Sequence, residues 1–437
     1  MSVFIVSGPF FAKIFVFFRL TFPRVEKPAR SGSKSQGEGN PQMSRKLNVA
    51  IVGLEFGKEF IPIYQRYPHT NMYAICQRNK VKLNAVGDEF KIDARYDDYE
   101  KLLKDPNVDI VHINTPLQIH ADQVVAGLEA GKHVACTIPM ATSVEDCKRI
   151  VDATERSGMT YMMMETVVYA REYLHVKDLY DKGELGKIQF IRASHQQEMW
   201  GWPDYWHGMP PMHNATHAIS PCLSIGGWEA EYVSCFGSGR VQEFMVPKYG
   251  CPFAIESTHI KFKDSDVVAE VTRSLFNTAR QYREHFDVYG SKKTFEWTLV
   301  EHEDHLIHTG EKPERIKIPD FASRLPKEIA MFTTGGVYDI GGNEHRSFTQ
   351  GGGHGGSHPH LVHEFISAIR EGRDPYPNAR TAANITCSGI LSHQSAMEGG
   401  KRMNLPEWTF NKGKPMMSRV AAAAKSGSTV QIAEFAK

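Results

Sequence analysis

The chain has 437 residues, 41% hydrophobic and 23% charged, with 51 lysines and arginines against 50 aspartates and glutamates. That length holds two domains with ample cores, and a net charge of +1 supplies no long-range field for nucleic acid or a membrane surface, so neither is an expected partner. The seven cysteines (76, 136, 147, 222, 235, 251, 387) form no C-x-x-C pair, and several sit inside apolar runs, which reads as reduced thiols in a reducing, cytoplasmic compartment.

The first 42 residues differ in composition from the rest of the chain. Val3 to Phe22 is apolar but broken by Lys13 and Arg19, each costly in a bilayer, and Ser31 to Gln42 is polar and rich in Gly and Ser. Met43-Ser-Arg-Lys-Leu-Asn-Val-Ala reads as a natural chain start. Residues 1–42 are therefore expected to be an extension outside the fold, with a targeting peptide as the alternative. The segment 411–437, rich in Ala, Lys and Ser, is expected to be a peripheral tail.

The first element is Leu47-Asn-Val-Ala-Ile-Val-Gly53-Leu-Glu-Phe56-Gly57-Lys58, an apolar strand running through a glycine turn into a helix. Backbone N–H groups and the positive end of a helix dipole gather at such a turn and suit a pyrophosphate. A full G-x-G-x-x-G would place glycines at 53, 55 and 58, whereas Glu55 and Lys58 stand here. Gly57 restores some freedom, and the Glu55 side chain must swing away from the phosphates. An ordinary strand-to-helix turn is the competing reading.

Strands are expected at Asn48–Val52, Met72–Cys76, Asp109–Asn114, His133–Ile138 and Thr160–Glu165, with helices at Gln118–Ala130 and Val144–Ser157. Gly131 stands where a helix-terminating glycine belongs, and Ser143 caps the next helix. This alternation demands a parallel sheet with right-handed crossovers, a Rossmann-type doubly wound domain over 46–166. Beyond it the period changes. A helix Glu172–Lys182 is followed by hairpin patterns at Phe253–Phe262 with Val267–Asn277, and at Glu284–Tyr289 with Thr294–Thr298. Helices at Pro359–Arg370 and Thr381–Glu398 close an α+β domain over 167–410 with a large antiparallel sheet.

In their order along the chain these motifs resemble the glucose–fructose oxidoreductase / inositol dehydrogenase / MocA family over about residues 46–410. The glycine turn comes first, then Ile113-Asn-Thr115-Pro116-Leu-Gln-Ile-His120, then Gly131-Lys-His-Val-Ala-Cys-Thr137-Ile138-Pro139, where most members carry Glu-Lys-Pro, then Asn214-Ala-Thr-His217. Met162-Met-Met-Glu165-Thr-Val-Val-Tyr169, Ala215-Thr-His217-Ala-Ile-Ser-Pro221 and Gly353-His354-Gly-Gly356 are similar to the subgroup containing NAD-dependent α-N-acetylgalactosaminidases.

The resemblance implies hydride chemistry at a secondary alcohol, C3 in that subgroup. It also implies a dinucleotide held by Gly53, Phe56, Gly57, Gln77, Arg78, Thr115, Pro116, His120, Thr137, Ile138, Pro139 and Glu165. NAD is the expected cofactor. Arg78 leaves NADP open, because it stands where a 2′-phosphate would lie, beside a Gln77 that replaces the usual ribose-gripping carboxylate.

Ile138 replaces the lysine many members use, so His217 and Tyr169 are the expected proton acceptors. His213, Asn214 and Thr166 depart from the subgroup's pattern, which counts against glycosidase activity more than against redox chemistry. Aromatic faces suit the C–H faces of sugars, so Trp200, Trp202, Trp206, His213, Asn214, Tyr282 and His354 are expected to line the substrate pocket. The crowd His354, His358, His360 and His363 comes after glycines that suit a turn before a helix, and no metal is expected.

The leading reading is an NAD(P)-dependent dehydrogenase acting on a small carbohydrate, assembled as a homo-dimer or tetramer. The alternatives are a redox-neutral glycosidase working by transient C3 oxidation and elimination, and a nucleotide-binding protein that has lost catalysis.

Overall fold

Strand alternates with helix through the first part of the computed structural model, which describes residues 45–300, 303–334 and 353–407. The expected extension over 1–42 and the tail over 411–437 lie outside the described residues. The strands are β1 (Leu47–Val52), β2 (Thr70–Cys76), β3 (Ala94–Tyr96), β4 (Ile110–Ile113), β5 (His133–Cys136) and β6 (Tyr161–Met163). All pair in parallel, in the order β3-β2-β1-β4-β5-β6. The order reverses between β1 and β4, which opens a crevice at their C-terminal ends. Helices α1 (Ile61–Arg66), α2 (Lys80–Phe90), α3 (Tyr99–Leu103), α4 (His120–Glu129) and α5 (Val144–Ser157) make the crossovers. Every position of β4 is buried, as two covered faces require. The Ser143 side chain accepts the Asp146 N–H at 3.1 Å and Gly158 ends α5 at φ 66°, so the cap lies where the sequence places it.

The second part is a broad sheet. After α6 (Arg171–Asp181) come β7 (Ile188–Gln197), α7 (Thr216–Ser224), β8 (Ala230–Ser238), α8 (Val246–Tyr249), β9 (Ile255–Phe262), β10 (Val268–Ser274), β11 (Tyr282–Gly290), β12 (Thr294–Glu296), β13 (His305–His308) and β14 (Pro313–Ile316). Helices α9 (Lys327–Ala330), α10 (Gly353–Glu371) and α11 (Ala379–Met397) come next, then a short β15 (Met403–Asn404). The strand order is β14-β13-β12-β11-β7-β10-β9-β8-β15.

Both expected hairpins are present, β9 with β10 and β11 with β12. Between them runs β7, which the sequence pattern does not single out because its end, His195-Gln-Gln, looks like a polar loop. It pairs antiparallel with β11 but parallel with β10, so the sheet is mixed and not purely antiparallel. The hairpin signals are local; the strand that enters between two hairpins is not.

The last departure lies at α10. Its regular turns match the expected helix, but it begins earlier, through His354 (φ 46°), Gly355 (φ 64°) and Gly356 (φ 80°). A Cβ on Gly356 would lie 2.5 Å from the Thr333 carbonyl oxygen. The Arg171 guanidinium donates to Gly355 O at 3.2 Å and Thr333 O at 2.6 Å. These contacts hold His354, a non-glycine residue, in a left-handed conformation it would otherwise avoid.

Candidate active site

Two sites meet at the C-terminal ends of the parallel strands. The first is the glycine turn. Gly53 has φ 86°, and a Cβ there would stand 2.5 Å from Asn114 O, so only glycine lets β1 turn against β4. Gly57 packs as tightly, with a Cβ position 2.8 Å from the Ile51 side chain. Glu55 points away from the turn and pairs with Lys82 of α2, as the chemistry of a phosphate site requires. The chain resumes as a 3-10 turn, Gly57–Phe60, before α1.

Gln77 follows β2 with its N–H on Tyr96 O at 3.0 Å, and Arg78 is exposed beside it. Thr115 and Pro116 follow β4, and the Thr137 hydroxyl donates to Ile113 O at 3.3 Å. The Ile138-Pro139 peptide is cis. This glycine cradle, with its one acidic side chain turned aside, fits a dinucleotide.

His120, expected at the cofactor, has both ring nitrogens on backbone carbonyls. It is buried, its Nδ1 lying 2.8 Å from Pro139 O and its Nε2 2.8 Å from Thr115 O. Burial lowers its pKa, against the pull of those two carbonyls. It ties the two strand-end loops together and so positions the crevice from behind.

The second site is assembled around His217 at the start of α7. Its Nδ1–H donates to Glu165 Oε1 at 2.5 Å, and the Thr166 hydroxyl lies 3.4 Å from the same nitrogen. Glu165, expected at the cofactor, is fully buried just beyond β6, and its carboxylate orients His217. Nε2 is left on the other side of the ring, 3.8 Å from Glu284 Oε1. Burial depresses the His217 pKa, but the charges of Glu165 and Glu284 outweigh it and hold the imidazole above its ordinary 6.5.

Glu284 stands opposite His195 in the β11–β7 ladder and reaches toward two more rings, with His195 Nε2 at 3.7 Å and His354 Nδ1 at 3.4 Å. Burial raises the Glu284 carboxyl, yet the surrounding imidazoles pull it well below the usual carboxylate range. The Tyr282 hydroxyl donates to Glu284, and its ring lies edge-on to His195 at 5.3 Å.

Beneath the cluster the Arg273 guanidinium is completely buried. It donates to Asn214 O (2.6 Å) and Oδ1 (2.7 Å), His195 O (3.0 Å), Ser274 O (2.7 Å) and Gln197 Oε1 (3.0 Å). Burial lowers its pKa to about 9. Glu284 and Arg273 are invisible as site residues in the sequence, where they read as ordinary strand positions. The one available signal is their alternation parity, which puts charged groups on the buried face of β10 and β11.

Several expected residues lie elsewhere. The Tyr169 hydroxyl donates to Tyr376 O at 2.7 Å, and burial raises its phenol well above 10, so it is a structural tie and not a proton acceptor. Asn214 is spent on Arg273. His213 packs edge-on against His393 at 5.1 Å, in a different cluster where His393 bonds Glu256, and burial drives its pKa down to about 3.

Trp202 and Trp206 pack against the buried cluster that includes Leu117, Met199, Met209 and Met245, fastening their loop to the sheet. Trp200 is 53% exposed and stacks on His207. The four histidines of the α10 segment disperse: His354 turns to Glu284, His358 to Glu59 at 3.3 Å, His363 to Tyr67, and His360 to none of these. A cleft of about 260 Å³ lined by Arg192, Arg280 and Arg283 occupies the opposite face of the β7–β11 sheet and shares none of the cluster's side chains.

Among the described residues no helix is long and apolar enough to cross a membrane. All seven cysteines are buried free thiols.

The same division appears in comparisons with known proteins. The chain is 25% identical over 357 residues to an alpha-N-acetylgalactosaminidase of Shewanella oneidensis, covering 73% of this chain and 74% of that one. Its fold is similar to an oxidoreductase from Agrobacterium radiobacter solved with NAD+, L-tartaric acid and magnesium (TM-score 0.67, 17% identity, 82% of this chain and 98% of that one). It is also similar to a levoglucosan dehydrogenase solved with NADH and levoglucosan (TM-score 0.66, 19% identity, 83% and 100%). Residues 47–165 match the NAD-binding Rossmann-fold domain of the glucose–fructose oxidoreductase / inositol dehydrogenase / MocA oxidoreductases, and residues 177–405 match their C-terminal alpha/beta domain. The chain belongs to that family of NAD-binding oxidoreductases.

Proposed function

We propose that this enzyme moves a hydride at a secondary alcohol, C3 by preference, of a sugar, glycoside or polyol, with His217 taking the hydroxyl proton. The observation that carries the reading is the buried His217–Glu165 pair, 2.5 Å between Nδ1 and Oε1. A carboxylate on Nδ1 fixes the tautomer, leaves Nε2 basic toward the pocket, and stabilises the imidazolium once the proton arrives. Bound NAD supplies the hydride acceptor or donor. Gly53 and Gly57 would bring the backbone close to the pyrophosphate, Gln77 and Arg78 would meet the adenosine ribose, and Thr115, Pro116 and the Thr137-Ile138-Pro139 turn would line the nicotinamide end. Tyr282, His195 and His354 would receive the sugar hydroxyls. The boundary near residue 166, a homo-oligomeric assembly and a cytoplasmic location complete the reading; the buried free thiols support the last of these.

A second reading, redox-neutral glycoside cleavage after transient C3 oxidation, is favoured by the similarity to an alpha-N-acetylgalactosaminidase. One assay separates the two. With a glycoside panel and NAD+, a dehydrogenase accumulates NADH in step with turnover, whereas a glycosidase releases aglycone with none. Thr166 and Asn214 support the first outcome. Aglycone release from an α-N-acetylgalactosaminide without net NADH would refute it, and silence in both assays would return the chain to the catalytically degenerate reading.

A further inference from the structure

Three imidazoles and the Tyr282 hydroxyl surround one carboxylate, Glu284. Glu284 Oε1 lies 3.4 Å from His354 Nδ1, 3.7 Å from His195 Nε2 and 3.8 Å from His217 Nε2. The donor atoms of His195, His217 and Glu284 all fall within 4.8 Å of one another. Both ring nitrogens of His195 are buried without a hydrogen-bond partner. Ligand atoms at ~2.0–2.1 Å around a tetrahedral zinc stand about 3.3–3.4 Å apart, closer than the donors of this cluster.

His217 presents Nε2 while its Nδ1–H is held by Glu165, the carboxylate–histidine arrangement that orients an imidazole toward a metal. Two carboxylates, Glu165 and Glu284, balance a divalent charge. The Arg273 cation below is committed to carbonyl and amide oxygens, not to Glu284. Imidazole-rich donors select zinc-type ions over magnesium or calcium.

We propose that His195 Nε2, His217 Nε2 and the Glu284 carboxylate form a binding site for a zinc-type divalent ion that excludes the sugar from the site. The ligands come from β7, α7 and β11, so closure draws side chains of three elements together. An ion there occupies the nitrogen that must accept the hydroxyl proton. Metal and substrate therefore compete, and the protein turns over only when the ion is absent. Binding rests on the geometry alone; its effect on turnover rests on the function proposed above.

The test is a Co2+ titration of the chelator-treated full chain. One Co2+ per chain should bind with the intense visible bands of a four-coordinate site, and Zn2+ should displace it. Both His195→Ala and Glu284→Gln should weaken binding by at least about 100-fold, and Glu165→Gln by about 10–100-fold. NAD+ affinity reports whether each variant has kept its fold, and His217→Ala, on a separate element, provides an independent ligand deletion. Zn2+ should inhibit turnover competitively with the sugar, and chelation should raise activity or leave it unchanged. A pale six-coordinate cobalt spectrum, or bands that survive in the folded ligand variants, would overturn the site. Activity abolished by chelation would overturn the exclusion. If no sugar is turned over, the cobalt spectrum still decides the site; if cobalt fails to bind while turnover depends on His217, the proposed function stands without it.

Discussion

The glycine turn and the histidine–carboxylate cluster do their work by different means. In the turn the function lies in the backbone: Gly53 and Gly57 remove side chains so that β1, β4 and the following helix approach closely, all within the consecutive residues 53–57. In the cluster it lies in side chains that no local segment brings together: Glu165 beyond β6, His195 on β7, His217 on α7, Glu284 on β11 and His354 before the regular turns of α10. The turn tolerates Glu55 because a side chain can rotate onto Lys82. The cluster has less slack, because its side chains are largely buried and are oriented by partners from other elements, as His217 is by Glu165. Damage to the turn should therefore appear as lost stability and cofactor affinity, and damage to the cluster as lost chemistry.

The sharpest test of that division is His217→Ala. Removing the proton acceptor should lower kcat by about 10²–10⁴, while NAD+ affinity measured by calorimetry stays nearly unchanged. A comparable loss of cofactor affinity would show that the two sites are one.

Glu59 probes the border between them. It is buried beside His358, and burial raises its pKa from 4.5 to about 8 against the opposing charge of Lys58. The folded chain then holds a proton that the unfolded chain has already released above about pH 4.5. The stability this confers is present below the unfolded value and is lost as pH rises through about 8. Glu59→Gln should remove that pH dependence, stabilising the protein above pH 8 by on the order of a few kcal/mol relative to wild type. Denaturant unfolding at pH 6 and pH 9 checks this; equal slopes against pH in the two proteins would refute it.

Gly53→Ala should cost about 1–3 kcal/mol of stability, seen in the thermal midpoint, because the new Cβ meets Asn114 O in a left-handed backbone. NAD+ affinity should fall with it. The smallest effect is expected at the adenosine end. Gln77→Asp should favour NAD over NADP by on the order of 1 kcal/mol, through a charge-assisted bond to the ribose hydroxyl. Arg78→Ala should weaken any NADP binding. An unchanged ratio of cofactor affinities in both would move the adenosine site elsewhere.

The legibility of the two regions reflects their construction. The parallel strands, the Ser143 cap and the Gly53 turn are readable because each is encoded within a few residues by burial period, capping oxygen or missing Cβ. His217 is readable as a site residue through its motif, but its partner is not: the motif assigns Glu165 to the cofactor, and Tyr169, expected beside His217, spends its hydroxyl on Tyr376 O. Trp202 and Trp206 look like a sugar platform in the sequence, and the fold packs them, half-buried, against the cluster around Met199 and Met245, a placement no local signal encodes.

By itself the sequence determined the Rossmann half, the two hairpins and the closing helices, since hydrophobic period and turn chemistry act over short distances. The tertiary structure alone decided that β7 runs between β10 and β11, parallel to one and antiparallel to the other. That register sets His195 opposite Glu284 and brings His217 and His354 to the same carboxylate. No local signal encodes it. Strand pairing is fixed by the total apolar surface buried and the buried polar atoms satisfied across the whole sheet, and these sums exist only once the chain has closed on itself.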